Sequence, residues 1–459
     1  MFSASRIASA LLGVGLLCLS PGWAQTVTVT PGEPYLRLDG KPTFLLGRNA
    51  TGWSTEQFAE QFGWAREAGE RIVRLHLNVG IASRGPAGAL DPQWLAHWES
   101  ILDDAGRNGL LVLPVLGVWS EWNDGSGGET WHQWGANPYN AVQGGPATSP
   151  AELLADTPCR QAWLRWLGSL VERWQGRPEI LGWEVFSELD LVTGSSEAMA
   201  TEFAGAAARV VRSSDPRSRL VTASLSGTRE WPALFSSSAV DVVQVHPYAN
   251  QPPYAGDLGS LIISCVHERL ARYGKPVLIG ESGLDSRPPR DTLTVSSRAE
   301  EGVRQALWAS VVSGACNGRM LWWEDGYDRY EGLDLRTRYR DAARPVARFT
   351  RDVDFAGMVP VAIETSDGLS GAALASDRLA LVWLRDRSCA PPEWPLTRIA
   401  DGEVVLAEPG APARYGVEFW STDTGTVSGP VTVASDGGGL RIALPAFEGS
   451  IALKVHFRR

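Results

Sequence analysis

"GWEVFSELD", residues 182–190, governs how the rest of the chain is read. It starts as a buried strand, with Trp183, Val185 and Phe186, and it ends by presenting a carboxylate, Glu188, after a small hydroxyl, Ser187. Period-two alternation puts Glu184 and Glu188 on one inward face. An ionised carboxylate out of water is costly unless it is paired. Two of them on one strand therefore need a structural or a chemical reason.

Similar apolar runs lie on both sides: "TFLLGRN" (43–49), "RIVRLHLN" (71–78), "GLLVLPVLG" (109–117), "ILGWEVFSE" (180–188), "RLVTASLS" (219–226), "VDVVQVHPY" (240–248), "KPVLIGESG" (275–283) and "GRMLWWED" (318–325). Most intervals repeat apolar residues at three- and four-residue steps, over 55–69, 92–108, 160–174, 198–213, 258–273 and 299–313, which predicts helices. Strand and helix alternating in this way predict an α/β fold, a (β/α)8 TIM barrel rather than an open sheet. A last helix is expected around 339–350. From about residue 355 the chain turns to short alternating runs such as "LALVWLRD" and "LRIALP", the pattern of an all-β sandwich. The expected division is a signal segment over 1–24, a barrel over 25–352 and a β-sandwich accessory domain over 353–459.

The signal reading rests on Arg6, the apolar run Ile7–Leu19 and the small-residue end Gly22-Trp23-Ala24, and it predicts a secreted or periplasmic protein. No later run reaches the roughly 18 apolar residues of a membrane span, so no membrane insertion is expected. With 42 basic and 52 acidic residues, a formal net charge of -10 and no basic run, nucleic acid and anionic lipid are excluded as partners. A neutral ligand and a monomer fit better. Cys159, Cys265, Cys316 and Cys389 match no zinc spacing; disulfides and buried thiols both stay open. Twenty Trp exceed what a core requires, so some rings are expected to face a ligand. Asn49-Ala50-Thr51 is a formal N-glycosylation acceptor.

Barrel active sites are built at the carboxyl ends of the strands, and the polar residues collect there. Arg74 and His76 lie on the second strand, Glu188 ends the fourth, His246 and Tyr248 the sixth, Glu281 the seventh, and Trp322 and Trp323 the eighth. Glu188 and Glu281 then face each other across the mouth. Two opposed carboxyl groups, one protonated and one ionised, are the apparatus of glycoside hydrolysis. Arg74 beside Glu281 would hold it ionised, and an apolar setting would raise the proton affinity of Glu188. Glu184, lower on its strand, is expected to serve structural hydrogen bonding. The Gly-rich loop 117–147 carries Trp119, Trp122, Trp131 and Trp134. It is expected to wall a sugar cleft by stacking, the alternative being an aromatic cluster of its own.

These motifs resemble the clan A glycoside hydrolases, and within them the family 5 cellulases and β-mannanases. "LGWEVFSELD" is similar to the fourth-strand Trp-Glu-x-x-Asn-Glu-Pro motif, "QVHPY" to the sixth-strand His-x-Tyr, "KPVLIGESG" to the seventh-strand nucleophile motif, and "LWWED" to the eighth-strand Trp. The loop "VWSEWNDGSGGETWHQWG" resembles one of endo-β-mannanases. The resemblance covers about residues 35–330. It implies Glu188 as general acid/base, Glu281 as nucleophile, Arg74 orienting Glu281, and Tyr248 hydrogen-bonding near it. It further implies His246 against substrate or acid/base, Trp322 or Trp323 flooring the reacting subsite, and neither metal nor cofactor.

Ser187 and Leu189 depart from the family's Asn and Pro. That Asn binds the sugar 2-hydroxyl, so the identity of the sugar is less defined than the reaction. The leading expectation is a retaining, endo-acting hydrolase of a β-linked polysaccharide of β-mannan or β-glucan type. The alternative is a non-catalytic polysaccharide-binding protein. The β-sandwich is expected to be scaffold, with a carbohydrate-binding module as its alternative. A metal-dependent hydrolase using His76, His246, Glu188 and Glu281 is disfavoured, because the chain has six His and no H-x-H or HExxH pair.

Overall fold

The computed structural model describes residues 25–50, 54–77, 85–129, 131–250, 252–284, 298–318, 320, 322, 342–407, 413–435 and 438–458. The signal segment, Thr51, Trp323 and most of the eighth apolar run lie outside the described residues.

Three short strands that the sequence pattern did not announce come first: β1 (Val27–Thr28), β2 (Leu36–Leu38) and β3 (Lys41–Thr43), paired as a small antiparallel sheet. Tyr35, Leu36 and Leu38 bury in one cluster with Leu111, Leu181 and Leu220, which begin or precede later strands. This sheet thus seals the amino-terminal side, away from the expected site.

Five parallel strands follow in sequential order, β4 (Gly47–Ala50), β5 (Ile72–His76), β6 (Leu111–Val115), β7 (Gly182–Phe186) and β8 (Leu220–Ala223), with a parallel pair β9 (Val243–Val245) and β10 (Val277–Ile279). Every residue of these strands is buried, as expected for parallel strands covered on both faces. Ser224 bridges to Gln244 between the two sheets, and Leu45 pairs with Asn317 on the far flank. The Cys316 N–H donates to Val277 O at 2.9 Å, tying that flank to β10. No strand is assigned among the described residues of the eighth run.

The helices are α1 (Thr55–Ala68), α2 (Pro92–Arg107), α3 (Pro158–Trp174), α4 (Glu197–Ser214), α5 (Pro232–Ser236), α6 (Leu258–Tyr273), α7 (Ala299–Ser313) and α8 (Ala343–Thr350). Their starts are set by side-chain caps. Ser54 and Gln57 form a reciprocal capping box on α1, and Asp91 accepts the N–H groups of Gln93 and Trp94 on α2, each at 2.8 Å. Thr157 caps α3 with Pro158 in its first turn, so that helix starts two residues before the apolar periodicity indicates.

The tryptophan surplus is largely core. Twelve of the 20 are buried; Trp94 of α2 stacks on Trp174 at 6.3 Å and meets Trp166 edge-on at 5.9 Å. Cys159, Cys265, Cys316 and Cys389 are all buried free thiols, which settles the open choice against disulfides. Burial pushes each thiol up to about 12.

The remaining strands are β11 (Val359–Val361), β12 (Ile363–Thr365), β13 (Leu369–Ala375), β14 (Leu379–Asp386), β15 (Arg398–Ile399), β16 (Gly402–Leu406), β17 (Ala413–Ser421), β18 (Val427–Ser435), β19 (Leu440–Leu444), β20 (Phe447–Glu448) and β21 (Ser450–Arg458). They form a six-stranded antiparallel sheet, β11-β13-β14-β21-β17-β18, a three-stranded sheet, β12-β16-β19, and the pair β15-β20. Val382, Val417 and Leu453 of the large sheet share a cluster with Val404 and Ile442 of the small one. On its other face the large sheet places Leu381, Trp383 and Trp420 in one cluster with Trp308 of α7 and Phe349 of α8. A cleft of about 660 Å³ between α7 and this region is lined by Arg298, Arg304, Trp420 and Asp423 among others, and none of the expected site residues lines it. Among the described residues no helix is long and apolar enough to cross a membrane.

Candidate active site

The side chains named from the strand ends converge on Arg74 of β5, which is fully buried. Its Nε and Nη2 donate to the two oxygens of Glu184, both at 2.7 Å. Nη1 donates to Glu281 Oε1 at 2.7 Å, and Nη2 to Ser187 Oγ at 2.9 Å. Nη1 also approaches His76 Nε2 at 2.7 Å and Asn49 Oδ1 at 3.2 Å. Burial opposes the guanidinium charge, but Glu184 and Glu281 outweigh it and hold Arg74 protonated. Because guanidinium only donates, His76 Nε2 accepts. Burial and Arg74 together push the His76 pKa well below the ordinary value, so this imidazole is neutral.

Glu184 also accepts from Gln244 Nε2 at 2.7 Å and from the Ser224 hydroxyl at 3.3 Å. With two bonds from Arg74 as well, its charge is fully occupied by the protein. Asn49 Nδ2 donates to Gly280 O at 3.1 Å, beside Glu281. The side chain is 1% exposed, so the formal glycosylation acceptor is buried structure.

Glu281 accepts from Arg74 on Oε1 and from the Tyr248 hydroxyl on Oε2 at 2.8 Å. Burial would raise its pKa, but His246 and Arg74 outweigh that and bring it down to about 2. Arg74 is the dependable part of the pull, since its charge does not titrate, whereas His246 contributes only when protonated. Glu188 behaves oppositely. Burial first, then the Glu281 charge, push it up to about 7, against the hydrogen bond from His246. His246 Nδ1 lies 2.8 Å from Glu188 Oε1.

The local chain explains how Glu188 reaches the site. The β7–β8 register slips between Glu184 and Phe186, a bulge that breaks strict alternation. Alternation alone would turn Phe186 inward with Glu184. Instead its ring meets Phe203 of α4 edge-on at 5.8 Å, and Ser187 turns to Arg74. Glu188 then takes φ 61° and ψ 58°, a left-handed conformation uncommon for a residue with a Cβ. Its N–H donates to Ser224 Oγ at 3.0 Å, which anchors the turn.

The other expected residues divide. Trp322 is partly exposed, its ring 4.5 Å from that of His76. The N–H of Trp119 donates to Ser187 O at 3.2 Å, so this half-buried residue adjoins the end of β7. Trp122 is a correction: it is 1% exposed and packs against Trp134 at 5.6 Å and Tyr139 at 5.3 Å. The loop folds its own aromatic cluster, so Trp122 has no free face for a ligand. Ser187 is equally buried. Gln244 and Ser224 were not singled out from sequence, and Asn49 was read only as a glycosylation acceptor, not as part of the site. The inward parity of Gln244, two residues before His246, was the available signal.

Oxygens of Glu188 and Glu281 and a nitrogen of His246 lie within 4.8 Å of one another. These three could surround a cation in principle. Their donors are committed elsewhere: Glu281 to Arg74 and Tyr248, and Glu188 to His246. A cation there would also sit beside a buried guanidinium.

No protein-family model matches the chain, and no curated protein does. Solved structures do. A glycoside hydrolase family 5 structure from Bacteroides vulgatus is similar with a TM-score of 0.65 at 15% identity, covering 94% of this chain and 93% of that one. A structure described as a glycoside hydrolase gives 0.64 at 15%, covering 94% and 97%. The endo-β-1,4-mannanase of Thermotoga petrophila gives 0.54 at 14%, covering 90% and 98%. At such identities the likeness is one of fold, and it extends through the C-terminal sheets.

Proposed function

We propose that this chain is a glycoside hydrolase working by retaining double displacement, with Glu281 as nucleophile and Glu188 as general acid/base. The carrying observation is the pair itself: oxygens within 4.8 Å, with proton affinities driven apart to about 7 and about 2. Retaining enzymes hold their carboxyl groups about 5–5.5 Å apart, and inverting ones about 6.5–9.5 Å, leaving room for water. Glu281 attacks the anomeric carbon while Glu188 gives its proton to the departing glycosidic oxygen. Water then attacks the glycosyl ester, Glu188 takes its proton, and Glu281 leaves as carboxylate. Arg74 and Tyr248 hold the nucleophile ionised and aimed, and Trp322 lies beside His76 to face the sugar.

The same proposal includes closure of the two parallel sheets into a (β/α)8 barrel, supported by the Ser224–Gln244 and Leu45–Asn317 bridges. The substrate we propose is a β-linked polysaccharide of mannan or glucan type, cut internally by a secreted or periplasmic monomer. Supporting it are the fold shared with an endo-β-1,4-mannanase and the long loop beside β7.

The test is reducing-sugar release by residues 25–459 on β-mannans, β-glucans, xylans and uronic-acid polysaccharides, with the first anomer read by proton NMR. Glu281→Gln is expected to lose at least about 10³-fold in kcat with the fold intact. Glu188→Ala should lose far more on poor leaving groups than on activated aryl glycosides, with partial rescue by azide. Wild-type-like rates in Glu281→Gln, or an inverted first product, would sink the assignment. One observation favours a second reading, polysaccharide binding without turnover. Ser187, where the similar family carries a sugar-binding Asn, is buried and spent on Arg74. Binding without product release on any glycan would support that reading.

A further inference from the structure

Gln244 of β9 touches neither Glu188 nor Glu281 directly, yet its amide joins Glu184 to His246, the imidazole that meets Glu188. Nε2 is 2.7 Å from Glu184 Oε1 and 3.3 Å from His246 Nε2. Glu184 is a carboxylate locked by Arg74, so it only accepts, and the amide must present its nitrogen on that side. Turned over, it would set two oxygens 2.7 Å apart. Its oxygen has no partner among the described residues. One amide hydrogen is therefore spent on Glu184, and the other faces His246 Nε2, which must accept. The imidazole proton is left on Nδ1, aimed at Glu188 Oε1.

We propose that Gln244 is a positioning residue for Glu188: fixed by Glu184, its amide keeps His246 as the neutral Nδ1–H tautomer, so Oε1 of Glu188 always accepts and its acid proton is carried on Oε2. The proposal rests on Glu188 being the acid/base and adds where its proton sits. Burial, with Arg74, disfavours an imidazolium at His246, but Glu281 and Glu188 outweigh them and raise its pKa. Gln244 opposes that cation directly, because an Nε2–H would meet the amide N–H head-on. The charged or titratable groups around the relay are Arg74 and His76 on β5, Glu184, Glu188 and Asp190 on and after β7, and Tyr248 and Glu281 after β9 and β10. Space for Gln244 is provided by Gly280, where a Cβ would lie 2.7 Å from the amide carbon.

The test reads the His246 ring nitrogens by long-range proton–nitrogen correlation in labelled residues 25–459 at pH 7, assigned by the signals lost in His246→Asn. Nδ1 should be protonated and Nε2 bare. In Gln244→Met, Nε2 should take a proton at the same pH. Its new charge would hold Glu188 ionised, moving the basic limb of the kcat profile to lower pH. At pH 7, kcat on unactivated glycosides should fall about ten-fold or more, and less on aryl glycosides, with KM little changed. An imidazolium or an Nε2–H tautomer in the wild-type protein overturns the proposal, and that spectrum decides it even where the variant does not fold. An unchanged Nε2 signal in a folded Gln244→Met also overturns it. Silence on every glycan would remove the hydrolase reading while leaving the tautomer to be read on its own.

Discussion

Glu188 costs the fold something, and the cost has a pH signature. Its folded pKa stands near 7, above the ordinary carboxylate value, so the native state binds the proton more tightly than the unfolded chain. The stability tied to that proton is fully present below the unfolded pKa and is lost as pH rises toward 7. Glu188→Gln, neutral at every pH and able to accept from His246, should therefore raise the melting temperature at pH 8 but much less at pH 4.5. The gain is about 1–3 kcal/mol at most, and equal shifts at both pH values would contradict it. Turnover needs Glu188 protonated and Glu281 ionised, so kcat/KM should fall about ten-fold per pH unit above 7 while its acid limb lies far lower. A profile rising through pH 8 would contradict the need for a protonated Glu188. Glu188, Glu281, Arg74, His246 and Tyr248 were legible because charge and aromatic hydroxyls at strand ends are conspicuous. Gln244, Asn49 and Ser224 were not, since an amide or hydroxyl on a strand looks ordinary until its partners are known.

At the level of elements, seven of the eight expected strands form among the described residues, β5 to β10 inside their apolar runs and β4 ending one residue past its own. The bulge in β7 was invisible, because nothing in "GWEVFSE" marks an extra residue. Its packing consequence appears one strand away. A Cβ at Gly117, after β6, would lie 2.4 Å from Phe186 Cδ2, far inside van der Waals contact with the ring that the bulge turns outward. Gly117→Ala should destabilise by about 1–3 kcal/mol, displace Phe186 and disturb the Ser187–Glu188 turn that follows it. In a Phe186→Leu background the same change should cost clearly less. Denaturant midpoints for the four proteins of the cycle test this, and strictly additive costs would show that the two positions do not compete for space. Trp122 teaches a similar lesson. A Trp-rich loop reads as a sugar platform or as its own core, and only the cluster with Trp134 and Tyr139 separates the two.

Composition at the scale of the whole molecule suggests two domains, but the packing couples them. Arg385 of β14 is buried among Asp257, Ser260 and Gln305 at the starts and inner faces of α6 and α7. The Trp308 indole N–H donates to Thr422 O at 3.0 Å, and Gln305 Nε2 donates to Cys389 O at 3.0 Å. Lys454 of β21 lies 5.2 Å from the Phe349 ring and 5.0 Å from Trp420, its charge shared between both regions. Removing the β-region would expose Trp308, Val312 and Phe349 together and leave the Gln305 amide without Cys389 and Arg385. Residues 25–459 should therefore melt in one calorimetric transition with matching van't Hoff and calorimetric enthalpies. A chain ending at residue 352 should be insoluble or expose apolar surface to a hydrophobic dye. Two resolved transitions, or a well-folded truncated chain, would mean that this interface is a docking contact between independent units. The β-region would then be free to act apart from the carboxylate pair, and the case for its role as scaffold would fall with the shared core.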